Sequence, residues 1–274
     1  MTWVPRRSRA RSNRLVEPAA PTYGHVFVVT YGRSGSTLVQ GLLNALPGTL
    51  VRGENNFVLR GLFLSRRALA RTRTLWAESS GRKGSTSAFF GAEQLDIAAW
   101  DSGVRELFDR QLLGEVSATD VRWLGFKEVR WYEITESETK AFLRFMDALY
   151  PQARYVLHRR NHADTLKSGY WNQTSTATAW ASSAHEMGEE AISRVEAFQD
   201  VLSLGREDRV CWTTYEELVD PEPGPSQAAL VRLIELLGYP PTAELRSRLT
   251  ETLKIGHGPK PSVGDRPVPA AGPS

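Results

Sequence analysis

Apolar and polar residues follow one another in blocks along the chain, and the spacing inside each block predicts its secondary structure. Short apolar runs predict β-strands at 25–31, 121–126, 153–158 and 209–214, with a shorter one at 49–51. Apolar residues spaced three and four apart predict helices at 36–46, 57–77, 103–113, 136–149, 184–204 and 226–237. Strands that alternate with helices predict an α/β fold. Its parallel sheet is covered on both faces and binds ligands beyond the carboxyl ends of the strands.

The composition limits the classes of protein that fit this pattern. The length of 274 residues fits one large domain, with two small domains as the alternative. No apolar run approaches the roughly 20 residues of a membrane helix, so we expect no integral membrane segment. The single cysteine, Cys211, lies in an apolar strand and is expected to be buried. A chain with one cysteine fits a reducing compartment, and we expect a cytoplasmic location.

Positive charge is concentrated at the amino terminus. Five arginines fall within the first 14 residues without one acid, and without them the formal charge of +3 becomes −2. Binding of an anion must therefore depend on individually placed residues, and we expect no nucleic-acid partner. We predict a disordered basic tail over 1–22, a folded domain over 23–258 and a Pro/Gly-rich tail over 259–274.

The motif YGRSGSTL, residues 31–38, joins the first predicted strand to the first predicted helix. A glycine-containing turn at a helix N-terminus presents unpaired N–H groups and the positive end of the helix dipole, and both favour an anion. The Walker pattern is not met, because no Gly-Lys-Ser or Gly-Lys-Thr occurs and Arg33 stands three positions before Ser36. The motif therefore predicts an anion site that differs from that of an ordinary NTPase.

A second polar motif follows the strand at 153–158. Arg159 and Arg160 come at the strand end, and Ser168 stands eight residues after Arg160. A helix that begins near His162 would place the serine about two turns along, where its hydroxyl and an arginine could bind another phosphate. The sequence thus predicts two separate anion sites in one fold.

GRSGSTL followed by RRNHADTLKS resembles the paired motifs of the sulfotransferases that use 3′-phosphoadenosine 5′-phosphosulfate (PAPS), in a bacterial, carbohydrate-sulfotransferase-like branch. RGENN, LGFKEVRW and CWTTYEELVDPEP strengthen the resemblance, which covers most of 25–258. It implies a P-loop-like three-layer α/β/α fold with a central parallel sheet, and PAPS as sulfuryl donor. The 5′-phosphosulfate site would comprise Arg33, Ser34, Gly35, Ser36 and Thr37. The 3′-phosphate site would comprise Arg160 and Ser168, with Lys254 on a closing C-terminal loop.

The catalytic base departs from the cytosolic branch of this family, which has a histidine after Lys-Thr. Here the corresponding segment reads Lys127-Glu128-Val129-Arg130. The resemblance to bacterial members implies Glu54 as the base, with Glu128 as second choice. Lys127 is expected to stabilise a sulfuryl or bridging oxygen. The alternatives are a helix-stabilising acid for Glu54, in a helix from Asn55 onward, and a surface salt bridge with Glu128 for Lys127. The alternative for Glu128 is an ion-pair partner of Lys127 or Arg130.

Two other functions compete with sulfuryl transfer. A P-loop-type nucleotide kinase would need Mg²⁺ held by an Asp at a strand end, but the strand at 153–158 ends in His-Arg-Arg. A non-catalytic nucleotide-binding module would keep both anion sites and lack a base. No metal site is expected, because the histidines show no ligand spacing. The acceptor is expected to be a hydroxyl of a small molecule, carbohydrate or glycolipid, and the sequence leaves its identity and the oligomeric state open.

Overall fold

The computed structural model describes residues 23–78, 84–167 and 178–256. Strands and helices alternate along the chain, with short 3₁₀ turns between some of them. The strands are β1 (Gly24–Val29), β2 (Thr49–Arg52), β3 (Trp123–Glu128), β4 (Arg154–Arg159) and β5 (Val210–Thr214). The helices are α1 (Ser36–Asn44), α2 (Val58–Glu78), α3 (Ile97–Leu113), α4 (Glu136–Leu149), α5 (His162–Leu166), α6 (Thr178–Ser203), α7 (Tyr215–Val219), α8 (Pro223–Leu236) and α9 (Ala243–Gly256).

The five strands form one sheet in the order β2-β3-β1-β4-β5, and every neighbouring pair is parallel. All five agree with the strands expected from the apolar runs, to within two residues at each end. Parallel strands are buried on both faces, which explains why β1 reads as a continuous apolar run instead of alternating with polar residues. The predicted central parallel sheet is confirmed.

Alternate side chains of each strand pack into two separate cores. In β1, Phe27 and Val29 face a core that includes side chains of α2, α3, α4 and α6. Val26 and Val28 face the opposite core, built with α1, α8 and α9. Because successive strand residues point to opposite faces, one sheet can pack against a layer of helices on each face. This is the three-layer α/β/α arrangement that was predicted.

The order of the strands creates a crevice at the carboxyl ends of β1 and β4. The chain leaves β1 through α1 and returns on one side as β2, whereas it leaves β4 through α5 and α6 and returns on the other side as β5. Loops that depart in opposite directions from neighbouring strands leave an opening between them, where α/β proteins bind ligands. The two predicted anion motifs border this opening.

The helices differ from expectation at α3, α6 and α9, and at the short α7, which was not predicted. α3 starts at Ile97, six residues earlier than predicted, because Asp96 caps it by accepting hydrogen bonds from the N–H groups of Ala98 and Ala99. α6 also begins earlier, at Thr178. α9 was not predicted as a helix, and it packs against α1 and α8 through buried Leu249 and Leu253. Its stability comes from this tertiary packing.

Candidate active site

The loop between β1 and α1 combines a left-handed backbone with the N-terminus of a helix. Arg33 (φ 67°) and Gly35 (φ 86°) both lie in the left-handed region, and Gly35 directly precedes the first residue of α1. A Cβ at Gly35 would come within 2.3 Å of the Tyr215 ring, so both the torsion angle and the space require glycine. The first turn of α1 carries no acidic residue. The positive end of this helix is therefore available to an anion.

The hydroxyl of Ser34 faces the protein interior. Ser34 is fully buried, and its Oγ lies 2.8 Å from Oγ1 of Thr30, which itself donates to the carbonyl oxygen of His158 at 2.9 Å. Ser36 is also buried, whereas Arg33 and Thr37 are exposed. Ser34 can therefore contribute its backbone to an anion site while its side chain holds the loop in shape.

The second anion motif reaches the first through Arg160. Its Nη1 donates to the backbone carbonyl oxygen of Arg33 at 3.1 Å. Its guanidinium carbon lies 4.3 Å from the centroid of the Tyr215 ring, as in a cation–π contact. Nε of Arg160 is buried and has no hydrogen-bond partner among the described residues. The structure thus brings Arg33 and Arg160 together, while Ser168 lies outside the described residues.

The neighbouring residue, Arg159, contacts helix α6 instead of the loop after β1. Arg159 donates from Nε to Gln199 at 2.8 Å and pairs with Asp200 at 2.5 Å, both on α6. Its guanidinium stacks 4.5 Å from the centroid of the Trp212 ring. Of the two adjacent arginines, Arg160 contacts the loop after β1 and Arg159 secures α6.

Glu54 and Lys127 meet at the carboxyl ends of β2 and β3. Nζ of Lys127 donates to Glu54 Oε1 at 2.5 Å, and Nη1 of Arg130 lies 3.2 Å from the other Glu54 oxygen. Burial acts to raise the pKa of Glu54, but the hydrogen bond and charge of Lys127, with the charge of Arg130, lower it overall. Glu54 is therefore a carboxylate at neutral pH. It remains 37% exposed, so an acceptor could approach it.

Both alternative explanations for these residues are wrong. α2 begins at Val58, so Glu54 lies before the helix and outside its first turn. Lys127 pairs with Glu54 and not with Glu128, and its side chain is only 7% exposed, which makes it a buried cation instead of a surface one. Strand alternation places Lys127 and Glu128 on opposite faces of β3, which is why these neighbours do not pair.

Glu128 organises the backbone around it. It is fully buried, and one carboxylate oxygen accepts from the N–H groups of Phe57 at 2.9 Å and Asn55 at 3.3 Å. The other accepts from the N–H groups of Val129 and Arg130 and from the Arg130 side chain, at 2.8 to 3.1 Å. A carboxylate with both oxygens bonded in this way has little capacity left to take a proton from an acceptor.

His158 was not among the site residues expected from the sequence. It is fully buried at the end of β4, with Nε2 3.0 Å from the carbonyl oxygen of Ser34 and Nδ1 2.9 Å from the hydroxyl of Thr213. Burial lowers its pKa to about 4, so the imidazole is neutral at physiological pH. The only feature of the sequence that pointed to His158 was its position directly before Arg159.

A further expectation concerns Lys254, at the margin of the site. Lys254 lies exposed in the last turn of α9 instead of on a loop. Tyr239, shortly before α9, bonds the carbonyl of Pro47 after α1, while Thr252 near its end faces Gly41 inside α1. α9 therefore runs antiparallel to α1 and brings Lys254 toward the carboxyl ends of the strands. A contact between Lys254 and a phosphate stays a prediction.

Several expected features outside the crevice can also be located. Cys211 is buried, as predicted, and burial raises its thiol pKa to about 11. Over the described ranges, no three His, Cys, Asp or Glu side chains are grouped as metal ligands, and no helix is both long and apolar enough to cross a bilayer. The predicted tails fall outside the described residues.

Known proteins were compared with the sequence and the fold. The solved sulfotransferase domain from the Synechococcus PCC 7002 olefin synthase is 19% identical, with a TM-score of 0.45, and the match covers 86% of this chain and 82% of that one. The sulfotransferase STF9 from Mycobacterium avium is 18% identical, with a TM-score of 0.41 and coverage of 88% and 70%. No curated protein sequence matches. The model of the sulfotransferase family matches residues 25–241, and the chain therefore belongs to the sulfotransferase family.

Proposed function

We propose that the protein transfers a sulfuryl group from PAPS to a hydroxyl of a small-molecule, carbohydrate or glycolipid acceptor. Membership of the sulfotransferase family supports sulfuryl transfer. The observation that supports PAPS is the contact between the two anion motifs, in which Arg160 donates to the Arg33 carbonyl across the β1/β4 crevice. A donor with phosphate groups at two positions matches two basic loops that meet in one crevice.

The residues of the crevice fit such a donor. The left-handed turn at Arg33 and Gly35 and the start of α1 offer N–H groups to a 5′-phosphosulfate. The buried Nε of Arg160 has no partner in the described part of the chain, although a buried donor without an acceptor is costly. A 3′-phosphate oxygen would supply that acceptor. We propose Ser168 and Lys254 as further contacts to this phosphate.

The chemistry then requires charge stabilisation and one proton acceptor. PAPS supplies the sulfuryl group, and its 5′-phosphate leaves as the acceptor oxygen attacks sulfur in line. Arg33 and Lys127 stabilise the charge that develops on the departing oxygen, because both stand at the carboxyl ends of central strands or directly after them. Glu54 takes the proton of the acceptor hydroxyl. Glu54 is the better base of the two candidates, since it is exposed while the oxygens of Glu128 are already hydrogen-bonded.

The first experiment measures donor recognition by calorimetry, without Mg²⁺. We expect 3′-phosphoadenosine 5′-phosphate (PAP) to bind much more tightly than AMP, ADP or ATP. Arg160→Ala removes a charged hydrogen-bond donor, so it should weaken PAP binding by about 10- to 150-fold while AMP binding changes little. Arg159→Ala is the matched control, because it removes the adjacent arginine that faces α6.

The second experiment incubates the protein with sulfur-labelled PAPS and a panel of hydroxylated metabolites, and looks for labelled product. Transfer to any hydroxyl supports the proposal and names the acceptor class. Equal affinity for AMP and PAP, or a strict Mg²⁺ requirement, would instead favour a kinase. Tight PAP binding with no transfer to the panel would favour the non-catalytic module.

A further inference from the structure

The buried imidazole of His158, on β4, connects β5 to the loop between β1 and α1. A carbonyl oxygen can only accept, so Nε2 carries the proton and donates to Ser34, while Nδ1 accepts from the hydroxyl of Thr213 on β5. The backbone carbonyl of His158 also receives the Thr30 hydroxyl, which is bonded to that of Ser34. Side chain and main chain of His158 therefore both hold the segment from Thr30 to Ser34. We refer to His158, Thr213, Thr30 and Ser34 as the His158 clasp.

The clasp acts on one particular peptide unit. In a planar trans peptide, the C=O and N–H groups point in opposite directions. The C=O of Ser34 is turned inward to His158, so the N–H of Gly35 in the same unit is turned away from the interior. The left-handed conformation of Gly35 makes this orientation accessible, but glycine alone does not select it, since it adopts many conformations.

We propose that His158 is a positioning residue for the donor: it fixes the Ser34–Gly35 peptide so that the Gly35 N–H points into the crevice toward the 5′-phosphosulfate. This rests on the proposed function for the identity of the ligand. His158 itself is fully buried and does not touch the ligand. Thr213 has the secondary role of holding the imidazole in the required orientation.

The chain offers a matched control at the amino ends of the strands, opposite the crevice. His25 is also a buried histidine on a central strand, and its Nε2 lies 3.1 Å from both carboxylate oxygens of Asp109. It is located at the amino end of β1, away from the crevice. Replacement of His25 should disturb the core to a similar extent and leave the donor loop unchanged.

The experiment compares His158→Leu, His158→Gln, Thr213→Val and His25→Leu. PAP and inorganic pyrophosphate are titrated by calorimetry, kcat and KM are measured for PAPS, and unfolding midpoints are recorded. Loss of one aligned N–H donor to an anion should weaken both ligands about 10- to 100-fold in His158→Leu. In His158→Gln the amide nitrogen can replace Nε2, so binding should stay within about threefold of wild type. Thr213→Val should also weaken binding of both ligands, by a smaller factor than His158→Leu. His25→Leu should lower the unfolding midpoint and leave binding unchanged.

A general loss of stability would not produce this pattern. Wild-type affinity for both ligands in His158→Leu overturns the proposal, as does an equal loss in His25→Leu. If His158→Leu does not fold, wild-type affinity in Thr213→Val overturns it. Pyrophosphate separates this inference from the proposed function. A wild-type protein that binds pyrophosphate but not PAP contradicts the assigned nucleotide, while the effect of the variants on pyrophosphate still decides the role of His158.

Discussion

At the scale of single residues, the site depends on which polar atoms are already bonded. Glu54 and Glu128 are both carboxylates near Lys127, yet their surroundings differ. Glu128 is fully buried and its oxygens accept five hydrogen bonds, whereas Glu54 stays exposed beside two cations. Only a carboxylate with a free lone pair and access to the acceptor can take its proton. This difference assigns the role of base to Glu54 in the proposed mechanism.

Glu54→Gln should lower turnover by about 10²- to 10⁴-fold, the usual contribution of a general base. PAP affinity should barely change, because in the proposed mechanism the carboxylate contacts the acceptor and not the phosphates. Lys127 and Arg130 lower the pKa of Glu54 below its ordinary 4.5. Activity of the wild type should therefore fall only at a pH below that value, as Glu54 becomes protonated, and the glutamine variant should lack this acid limb in its pH–rate profile.

The matched control for this prediction is Glu133→Gln. Glu133 pairs with Arg60 at 3.8 Å on the surface, with its side chain 36% exposed. Its replacement should leave turnover and the acid limb near those of the wild type. Near-normal turnover in Glu54→Gln, with the acid limb intact, would exclude Glu54 as the base.

At the scale of elements, the connection between β2 and α2 is held in an unusual backbone conformation. Asn56 (φ 58°) and Phe57 (φ 55°) are consecutive left-handed residues that are not glycine, which is unfavourable for L-amino acids. The buried Glu128 carboxylate accepts the N–H groups of Asn55 and Phe57 and so compensates for this cost. β3 thereby positions the loop that carries Glu54.

Glu128→Gln should therefore be a stability variant. The amide would place a donor against backbone N–H groups, and the hydrogen bond from the partly exposed Arg130 would lose its negatively charged acceptor. We expect the free energy of unfolding to fall by about 2–5 kcal/mol, measured by urea denaturation. Glu133→Gln, at an exposed ion pair, should cost less than about 1 kcal/mol. Wild-type stability in Glu128→Gln would mean that the loop does not depend on this carboxylate.

At the scale of the whole molecule, the two ends of the parallel strands have different buried polar networks. The carboxyl ends carry the His158 clasp and Gln199, whose amide donates to the carbonyl of Val29. The amino ends carry Asp109, which contacts His25 and the hydroxyl of Tyr150. Because buried polar groups must keep their partners, both networks constrain how the helical layers sit on the sheet.

The neutral state of His158 makes global stability depend on pH. Its pKa is about 4 in the folded protein and near 6.5 when unfolded, so the unfolded chain binds a proton between these values that the folded chain does not. The contribution of neutral His158 to the free energy of unfolding is complete above pH 6.5. It decreases as pH falls toward 4, by about 3 kcal/mol in total. Urea unfolding of the wild type and His158→Gln across pH 4–7 tests this, because only the wild type should show the histidine-dependent slope. Parallel slopes would contradict the prediction.

The amino-acid sequence by itself determined the strands, most of the helices and the region of the site. The apolar runs placed all five strands, and the signal is strongest in β1, β3 and β4, which are buried over most of their length and therefore mostly apolar. The two basic motifs could be assigned to the crevice before any coordinates, because each directly follows a strand and parallel strands end at a common edge. Local signals of this kind require only neighbouring residues.

Only the tertiary structure decided which side chains meet. A salt bridge with Glu128 was the alternative for Lys127, but Lys127 pairs with Glu54, 73 positions away. Strand alternation separates Lys127 from Glu128, and the parallel pairing of β2 with β3 brings Lys127 close to Glu54. The contact of His158 with Ser34 spans 124 positions, and α9 forms where α1 and α8 provide an apolar surface. Hydrogen-bond partners and buried charges depend on distances across the fold, and no pattern within one segment contains that information.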